Sequence, residues 1–217
     1  MKGTATRARE ALRGEDFRRL FAIRLLSQFG DGLFQASLVA SIVFSPEHQS
    51  TAIGLAKATA IIAIPFSVIG PFTGVFIDRW SRRKIVIVAP LLRAAFVWLI
   101  LFSPAHAAVL FYAGALIVLS INRFFLATAV AVVPRLVPTE DLLMANSLAT
   151  VGGTVALLAG VFFGGQVVQV LGSAPVIVAA GVLWLLTSLF AARITSSLTP
   201  HRLPEVGIRD EMGRISH

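Results

Sequence analysis

Cysteine is absent from this sequence of 217 residues, and charged residues are scarce. The lack of cysteine excludes disulfides, thiolate metal ligands and thiol nucleophiles. Only 14% of the residues are charged, against about 25% in an average soluble protein, while 56% are hydrophobic and the mean hydropathy is +0.83. So few polar groups could not cover the surface of a soluble domain. The composition therefore predicts an integral membrane protein and excludes collagen-like and disordered classes.

The sequence contains several long runs of apolar residues. A hydrocarbon core about 30 Å thick needs about 20 helical residues to cross it, and six runs are long enough. Each run is continuously apolar, whereas the strands of an outer-membrane barrel alternate over short segments. The first run is too long for the core of a cleaved signal peptide, so we expect it to be retained. We predict an all-α membrane protein with six transmembrane helices, at residues 21–44, 52–77, 85–102, 107–133, 144–171 and 174–192.

Basic residues outside these runs are sorted to one side of the membrane. They occur before the first span, between the second and third, between the fourth and fifth, and after the sixth, while the three other loops have no lysine or arginine. By the positive-inside rule, both termini are cytoplasmic. We therefore expect a cytoplasmic basic segment at 1–20 and a cytoplasmic tail or linker at 193–217. The net charge of +8 reflects this sorting and does not indicate nucleic-acid binding.

Five charged residues remain inside the predicted spans: Arg24, Asp31, Lys57, Arg93 and Arg123. A charge at the bilayer centre costs at least about 2.5 kcal/mol, so each residue needs water, a partner or access to the headgroups. Lys57 is close enough to the outer end of its span for its long stem to reach the headgroups. Asp31 has a short side chain near the middle of the first span. It is therefore predicted to face the interior of the bundle.

A polar stripe surrounds the acid of the first span. Arg24, Gln28, Asp31 and Gln35 are spaced four, three and four residues apart, which places them on one face of a helix. Two interpretations stay open: an interhelical hydrogen-bond seam, or the wall of a water-filled cavity. The arginines of the third and fourth spans are predicted to approach the acid or a bound anionic group. Whether the acid carries protons depends on the balance between a neighbouring cation and desolvation.

The loop after the second span carries the most specific motif. From Gly74 to Lys84 it reads GVFIDRWSRRK, which combines a helix-packing glycine, an acid at the membrane edge and a basic cluster. This spacing resembles the signature loop of the major facilitator superfamily, G-x-x-x-D-R-x-G-R-R-K, with Ser81 where the family usually has glycine. Basic topology determinants alone would also give an arginine-rich turn. The resemblance implies a gating loop that closes the cytoplasmic side, formed by Gly70, Gly74, Asp78, Arg79, Arg82, Arg83 and Lys84.

Two further patterns are similar to the same family. Arg123 lies in the fourth span, where a family motif places an arginine often implicated in proton coupling. Gly160, Gly164 and Gly165 in the fifth span resemble the G-P-x-x-G-G element of the family's proton-driven exporters. Close packing along a stripe of small residues is the alternative for these glycines. The segment 134–148 also looks like the corresponding connection in bacterial drug, siderophore and lysophospholipid exporters.

The resemblance implies a fold and a mechanism. The family's transporters have two six-helix halves, each an inverted pair of three-helix repeats, with the substrate between the halves. This chain would be the N-terminal half, either as a fragment, as one product of a split gene or as a half-sized protein. We expect a proton-coupled exporter of small hydrophobic or amphiphilic molecules in the bacterial inner membrane. Asp31 would carry the proton, with Arg93 and Arg123 as its charge partners or as contacts for an anionic substrate.

The expected partners follow from the same resemblance. They are the lipid bilayer, a small-molecule substrate, protons and a second six-helix half, supplied by the same or another chain. The alternative is an interaction module that transports nothing without such a partner. An enzyme has little support, because the four histidines lie in predicted loops or in the tail without the spacing of a metal site. No G-x-S-x-G elbow occurs either, so we expect no catalysis, metal or cofactor.

Overall fold

A computed structural model describes residue 12 and residues 14–43, 81–102 and 108–193. These residues form helices and their connections, with no strand among them. The described part is therefore the all-α membrane fold that the sequence predicts. The predicted second span at 52–77, most of the tail at 193–217 and most of the segment at 1–20 lie outside the described residues. The helices are α1 Glu15–Val43, α2 Arg82–Leu101, α3 Ala108–Val132, α4 Leu142–Leu171 and α5 Ser173–Ala192.

Local sequence signals explain where these helices begin and end. The Oγ of Ser81 caps α2 by accepting a hydrogen bond from the backbone N–H of Lys84 at 3.3 Å. Between α3 and α4 the chain makes two 3₁₀ turns, Val133–Arg135 and Thr139–Asp141, in a segment with two prolines. Gly172 separates α4 from α5 with a φ of 81°, a conformation that favours glycine.

Four helices, α2 to α5, are long and apolar enough to cross a membrane. α1 is not among them, because polar and charged side chains interrupt its apolar run. Its 29 residues nevertheless extend over about 43 Å at 1.5 Å per residue, which exceeds the thickness of the hydrocarbon core. The helix that is least apolar is thus the one that carries the predicted polar stripe.

Side-chain hydrogen bonds fix the relative directions of the helices. Near the start of α1, Arg19 donates to the carbonyl of Arg193 at the end of α5, at 3.2 Å. At the start of α2, Arg82 donates to the carbonyl of Ala131 near the end of α3, at 2.9 Å, and Arg83 donates to the last residue of α5, at 3.2 Å. The N-terminal ends of α1 and α2 and the C-terminal ends of α3 and α5 therefore meet at one end of the bundle, here called the basic end.

Packing is closest where α1 crosses α4. A Cβ on Gly32 would collide with the carbonyl oxygen of Leu157, and a Cβ on Gly160 would collide with the carbonyl oxygen of Phe29. The two backbones can therefore approach only because both positions are glycine. α5 lies on the other side of α1, and α2 packs between α3 and α5.

The buried apolar side chains form two clusters along the bundle. On α1, α2 and α3, the buried polar side chains other than Ser37 and Thr128 fall between these clusters, so the core has an apolar layer, a polar layer and a second apolar layer. The cluster at the basic end includes Phe17, Leu20, Ile23, Val86, Phe125, Val132 and Ala191. The other cluster includes Leu33, Phe34, Leu38, Val97, Val118, Ile177 and Trp184.

Candidate functional site

The centre of the polar layer is an ion pair between α1 and α2. Nη1 of Arg93 lies 2.7 Å from Oδ1 of Asp31, and the two side chains are 0% and 4% exposed. In this apolar surrounding a charge is stable only when it is paired and hydrogen-bonded. The second oxygen of Asp31, Oδ2, is buried and accepts no hydrogen bond from the described residues. One carboxylate oxygen is thus fully engaged while the other keeps spare acceptor capacity.

The guanidinium of Arg93 is held by partners on three helices. Besides Asp31, its Nη1 donates to Oδ1 of Asn122 on α3 at 2.7 Å, and its Nη2 donates to Oγ of Ser27 on α1 at 2.6 Å. Its Cζ lies 4.4 Å from the centre of the Trp184 ring, within the range of a cation–π interaction. These contacts fix both the position and the plane of the cation.

Trp184 on α5 completes the site. Its Nε1–H donates to Oδ1 of Asp31 at 3.1 Å and also lies 3.3 Å from the carbonyl oxygen of Ser27. Gly30 makes this approach possible, because a Cβ there would lie 3.0 Å from Nε1 of the indole. The indole therefore connects α5 to the acid and stacks on its partner cation at the same time.

Arg123 stands at the margin of this site. Its side chain is only partly buried on α3, and it interacts electrostatically with Asp31 without forming the direct ion pair that Arg93 makes. The sequence predicted both arginines as candidate partners of the acid. The structure places Arg93 in contact with it and Arg123 farther away.

Two residues of the predicted stripe, Arg24 and Gln28, face α4. Arg24 and Gln28 are buried, and Nε of Arg24 and Nε2 of Gln28 both lie beside Gly153. Gln35 is partly buried farther along α1. The stripe is therefore divided: Asp31 turns toward α2 and α5, while Arg24 and Gln28 turn toward α4.

The basic cluster of the predicted gating loop is described only in part. Arg82 and Arg83 bind carbonyl oxygens near the ends of α3 and α5, and such groups are left without partners at a helix C-terminus. Lys84 is exposed in the first turn of α2. Gly70, Gly74, Asp78 and Arg79 lie outside the described residues.

The glycines of the predicted exporter element have different surroundings. Gly160 lies in the crossing with α1, and a Cβ on Gly164 would lie 3.1 Å from Cα of Leu33. At Gly165, a Cβ would meet no atom of the described residues within 4 Å. Two of the three therefore contact α1, and the third faces outward from the described bundle.

Three residues of the site, Ser27, Asn122 and Trp184, are absent from the sequence-based prediction. Ser27 lies one helical turn before Asp31, and Asn122 is a polar residue in the middle of an apolar span next to Arg123. A search for every polar side chain at mid-span would have found these two. Trp184 sits in a largely apolar helix, and an indole in such a helix is ordinarily a packing residue. Only the packing of α5 against α1 reveals its hydrogen bond.

The comparisons with known proteins identify the family. The model of the Major Facilitator Superfamily matches residues 20–211. The chain belongs to the major facilitator superfamily. As a member of this family with several apolar helices, it is a multi-pass membrane protein, and the family points to transport and not to enzymatic catalysis.

Two curated relatives of this major facilitator chain carry the same family designation. They are uncharacterized MFS-type transporters from Mycobacterium bovis and Mycobacterium tuberculosis, each 35% identical over 150 residues. The matched region is 68% of this chain but only 34% of each relative, so the chain matches about a third of the length of those proteins. No solved structure matches the chain significantly.

Proposed function

We propose that this major facilitator chain is one half of a proton-coupled exporter that works by alternating access in the bacterial inner membrane. The observation that carries the proposal is the buried ion pair of Asp31 and Arg93, which joins α1 to α2 within a polar layer. A charged pair in the middle of membrane-spanning helices is expensive and marks ion and substrate pathways. Its cargo would be a small hydrophobic or amphiphilic molecule.

The proposed mechanism couples the protonation of Asp31 to helix packing. A proton on Oδ2, the oxygen that accepts no hydrogen bond from the described residues, would neutralise the acid and remove its attraction for Arg93. Arg93 would keep its hydrogen bonds to Ser27 and Asn122. Protonation would therefore weaken the contacts that α1 and α5 make through Asp31 more than the contact between α2 and α3. The proton would therefore favour one arrangement of α1 over the other, which is the requirement for coupling. Arg123, which already interacts with Asp31, would stabilise the deprotonated state.

The basic end would be the cytoplasmic end in this proposal. Arginines and lysines concentrate there, in agreement with the positive-inside rule. Arg82 and Arg83 connect the start of α2 to the ends of α3 and α5 at this end. The gating loop would then act between the basic end and a second six-helix half, with Asp78 near a helix end of that half.

Flux across a vesicle membrane tests the proposal. The chain is reconstituted into proteoliposomes, with and without a separately expressed six-helix half of a major facilitator protein, and export of a fluorescent amphiphile is followed under an imposed pH gradient. We expect gradient-dependent flux that Asp31→Asn abolishes and that Arg18→Gln, an exposed substitution on the same helix, leaves unchanged. Flux that is unaffected by Asp31→Asn would refute the role of the acid. Absence of flux in both preparations would refute the transporter assignment.

A second candidate is an interaction module that transports nothing without a partner chain. Its basis is the ion pair and polar layer of a single bundle, because the family's pathway lies between two six-helix halves and needs a surface from each. Light scattering of the detergent-solubilised chain separates the candidates. A strict monomer without flux, which gains flux when the second half is added, fits the partner-dependent module. A dimer with flux fits a transporter built from two copies.

A further inference from the structure

Arg24 is a buried cation without a counterion among the described residues. The residue is 7% exposed, and its Nε is fully buried and has no hydrogen-bond partner in the described helices. It forms no ion pair or hydrogen bond with any residue that the structure describes. Burial of an unpaired guanidinium inside a membrane protein is expensive. The arrangement therefore needs a partner that comes from outside the described residues.

Asp31 cannot be that partner. It already accepts bonds from Arg93 and Trp184, and it is seven residues from Arg24, which is about 10 Å along α1. The interior parts of the described helices contain three arginines, Arg24, Arg93 and Arg123, and Asp31 as their single acid. The interior of the described bundle thus carries excess positive charge. A bound anion would offset it.

Gln28 and Gly153 turn the position of Arg24 into a small donor site. The point where a Cβ on Gly153 would lie is 3.3 Å from Nε of Arg24 and 3.0 Å from Nε2 of Gln28. Two N–H donors, one charged and one neutral, therefore lie side by side against the same glycine, where a methyl group would already be crowded. Gln28 is itself buried, at 8% exposed. A carboxylate or phosphate can accept from both donors through two oxygens.

We propose that Arg24 and Gln28, beside Gly153, bind the anionic group of the transported molecule. The substrate class is then an organic carboxylate or phosphate whose apolar part lies along the apolar walls of the bundle. This inference rests on the proposed function only in treating the bound molecule as cargo. The binding site itself is defined by the two donors. It narrows the cargo from amphiphiles in general to anionic ones.

Thermal unfolding with a matched set of probes tests the site. The purified chain in a non-ionic detergent is titrated with octanoate, octyl phosphate, octylammonium and octanol, and with acetate and inorganic phosphate as headgroups without a chain. We expect octanoate or octyl phosphate to raise the midpoint of unfolding in a saturable way, because a ligand that binds the folded state stabilises it. Octylammonium and octanol should not do so. If acetate or inorganic phosphate also raises the midpoint of unfolding, the affinity comes from the anionic headgroup. If neither does, part of the affinity comes from the octyl chain.

Three variants separate binding from structure. Arg24→Gln should weaken the binding of octanoate or octyl phosphate by at least about tenfold, the effect of one charge-assisted hydrogen bond. Arg24→Lys should retain part of the affinity, since it keeps the charge but loses the planar pair of donors. Arg18→Gln, which removes an exposed charge from the same helix, should bind like the parent chain. Without ligand, Arg24→Gln should be at least as stable as the parent, because Arg24 has no partner among the described residues that the substitution would remove.

Two outcomes would overturn the inference. One is stabilisation by the cationic and neutral probes that equals stabilisation by the anionic ones. The other is a ligand-free Arg24→Gln chain that is clearly less stable than the parent, or that no longer associates with a second six-helix half, because Arg24 would then be paired within the protein. Failure of the proposed function gives a different result. If anions stabilise the chain but no flux is observed, the site stands and the transport function fails. If a cationic cargo is transported and Arg24→Gln has no effect on its flux, the transport function stands and this site fails.

Discussion

At the scale of single residues, Arg93 is the side chain on which the polar layer depends. Arg93→Met would leave Asp31 buried without its counterion, and breaking a buried pair from one side costs about 3–5 kcal/mol. Asp31→Leu combined with Arg93→Met should be less destabilised than Arg93→Met alone, since neither charge remains. Chemical unfolding of the detergent-solubilised chain measures both values. If the losses of the single variants simply added in the double variant, the pair would not be coupled.

Trp184 offers a sharper test, because the chain provides a matched control. Trp184→Phe removes the Nε1–H donor to Asp31 and keeps most of the ring, so we expect a loss of about 1.5–3 kcal/mol in the free energy of unfolding, the range for hydrogen bonds to charged groups. Trp98 is also partly buried, but its Nε1 has no hydrogen-bond partner in the described part of the chain. Trp98→Phe should therefore cost clearly less. Equal losses in the two variants would show that ring size and not the hydrogen bond matters.

The residues of the site divide into those that a sequence can reveal and those that it cannot. A charge within an apolar span is conspicuous, so Asp31, Arg93, Arg123 and Arg24 were all predicted as interior residues. Which of them would meet was not predictable, because helical periodicity assigns a face but not the neighbouring helix. Trp184 gave no signal, since its single polar atom is hidden in a large apolar side chain.

At the scale of helices, the crossing of α1 and α4 depends on small residues. Gly160→Ala would place a Cβ against the carbonyl oxygen of Phe29, and forcing the helices apart should cost about 1–3 kcal/mol. Gly165→Ala is the matched control, because it introduces the same methyl group on the same helix at a position where no atom of the described bundle lies within 4 Å. It should be neutral or should stabilise the helix by up to about 1 kcal/mol. Thermal unfolding of the two variants measures the difference, and similar midpoints would contradict this role of the crossing.

Helix boundaries differ from the sequence-based spans for local reasons. The third span was predicted from residue 85, whereas α2 begins at Arg82, because Ser81 caps a turn of basic residues that hydropathy assigns to the loop. The first span was predicted from residue 21, whereas α1 begins at Glu15. The charged first turn of the helix lies outside the apolar layer, so hydropathy does not include it. Hydropathy identifies the part of a helix that crosses the membrane. Capping residues and charges at the helix termini determine where the helix itself begins and ends.

At the scale of the whole molecule, the order of packing was beyond the sequence. Six apolar runs predict a bundle, but nothing in their composition states that α1 lies between α4 and α5 or that α2 lies between α3 and α5. Lipid-facing and buried faces are both apolar, so hydropathy does not separate them. α4 illustrates this: Val151, Val155, Leu158 and Phe162 are all exposed on the described bundle although they are as apolar as its core.

The orientation of the bundle can be tested because the chain has no cysteine, so a single introduced thiol is the only one present. Thr139 is exposed in the connection at the basic end, and Ser173 starts α5 at the opposite end. If the basic end is cytoplasmic, a membrane-impermeant maleimide should label Thr139→Cys only in inside-out vesicles and Ser173→Cys only in right-side-out vesicles. Thr187→Cys is the matched control: this threonine is 0% exposed inside α5, so it should react only after denaturation. Labelling of Thr139→Cys and Ser173→Cys from the same side would contradict the helix directions, and the reverse pattern would place the basic end outside.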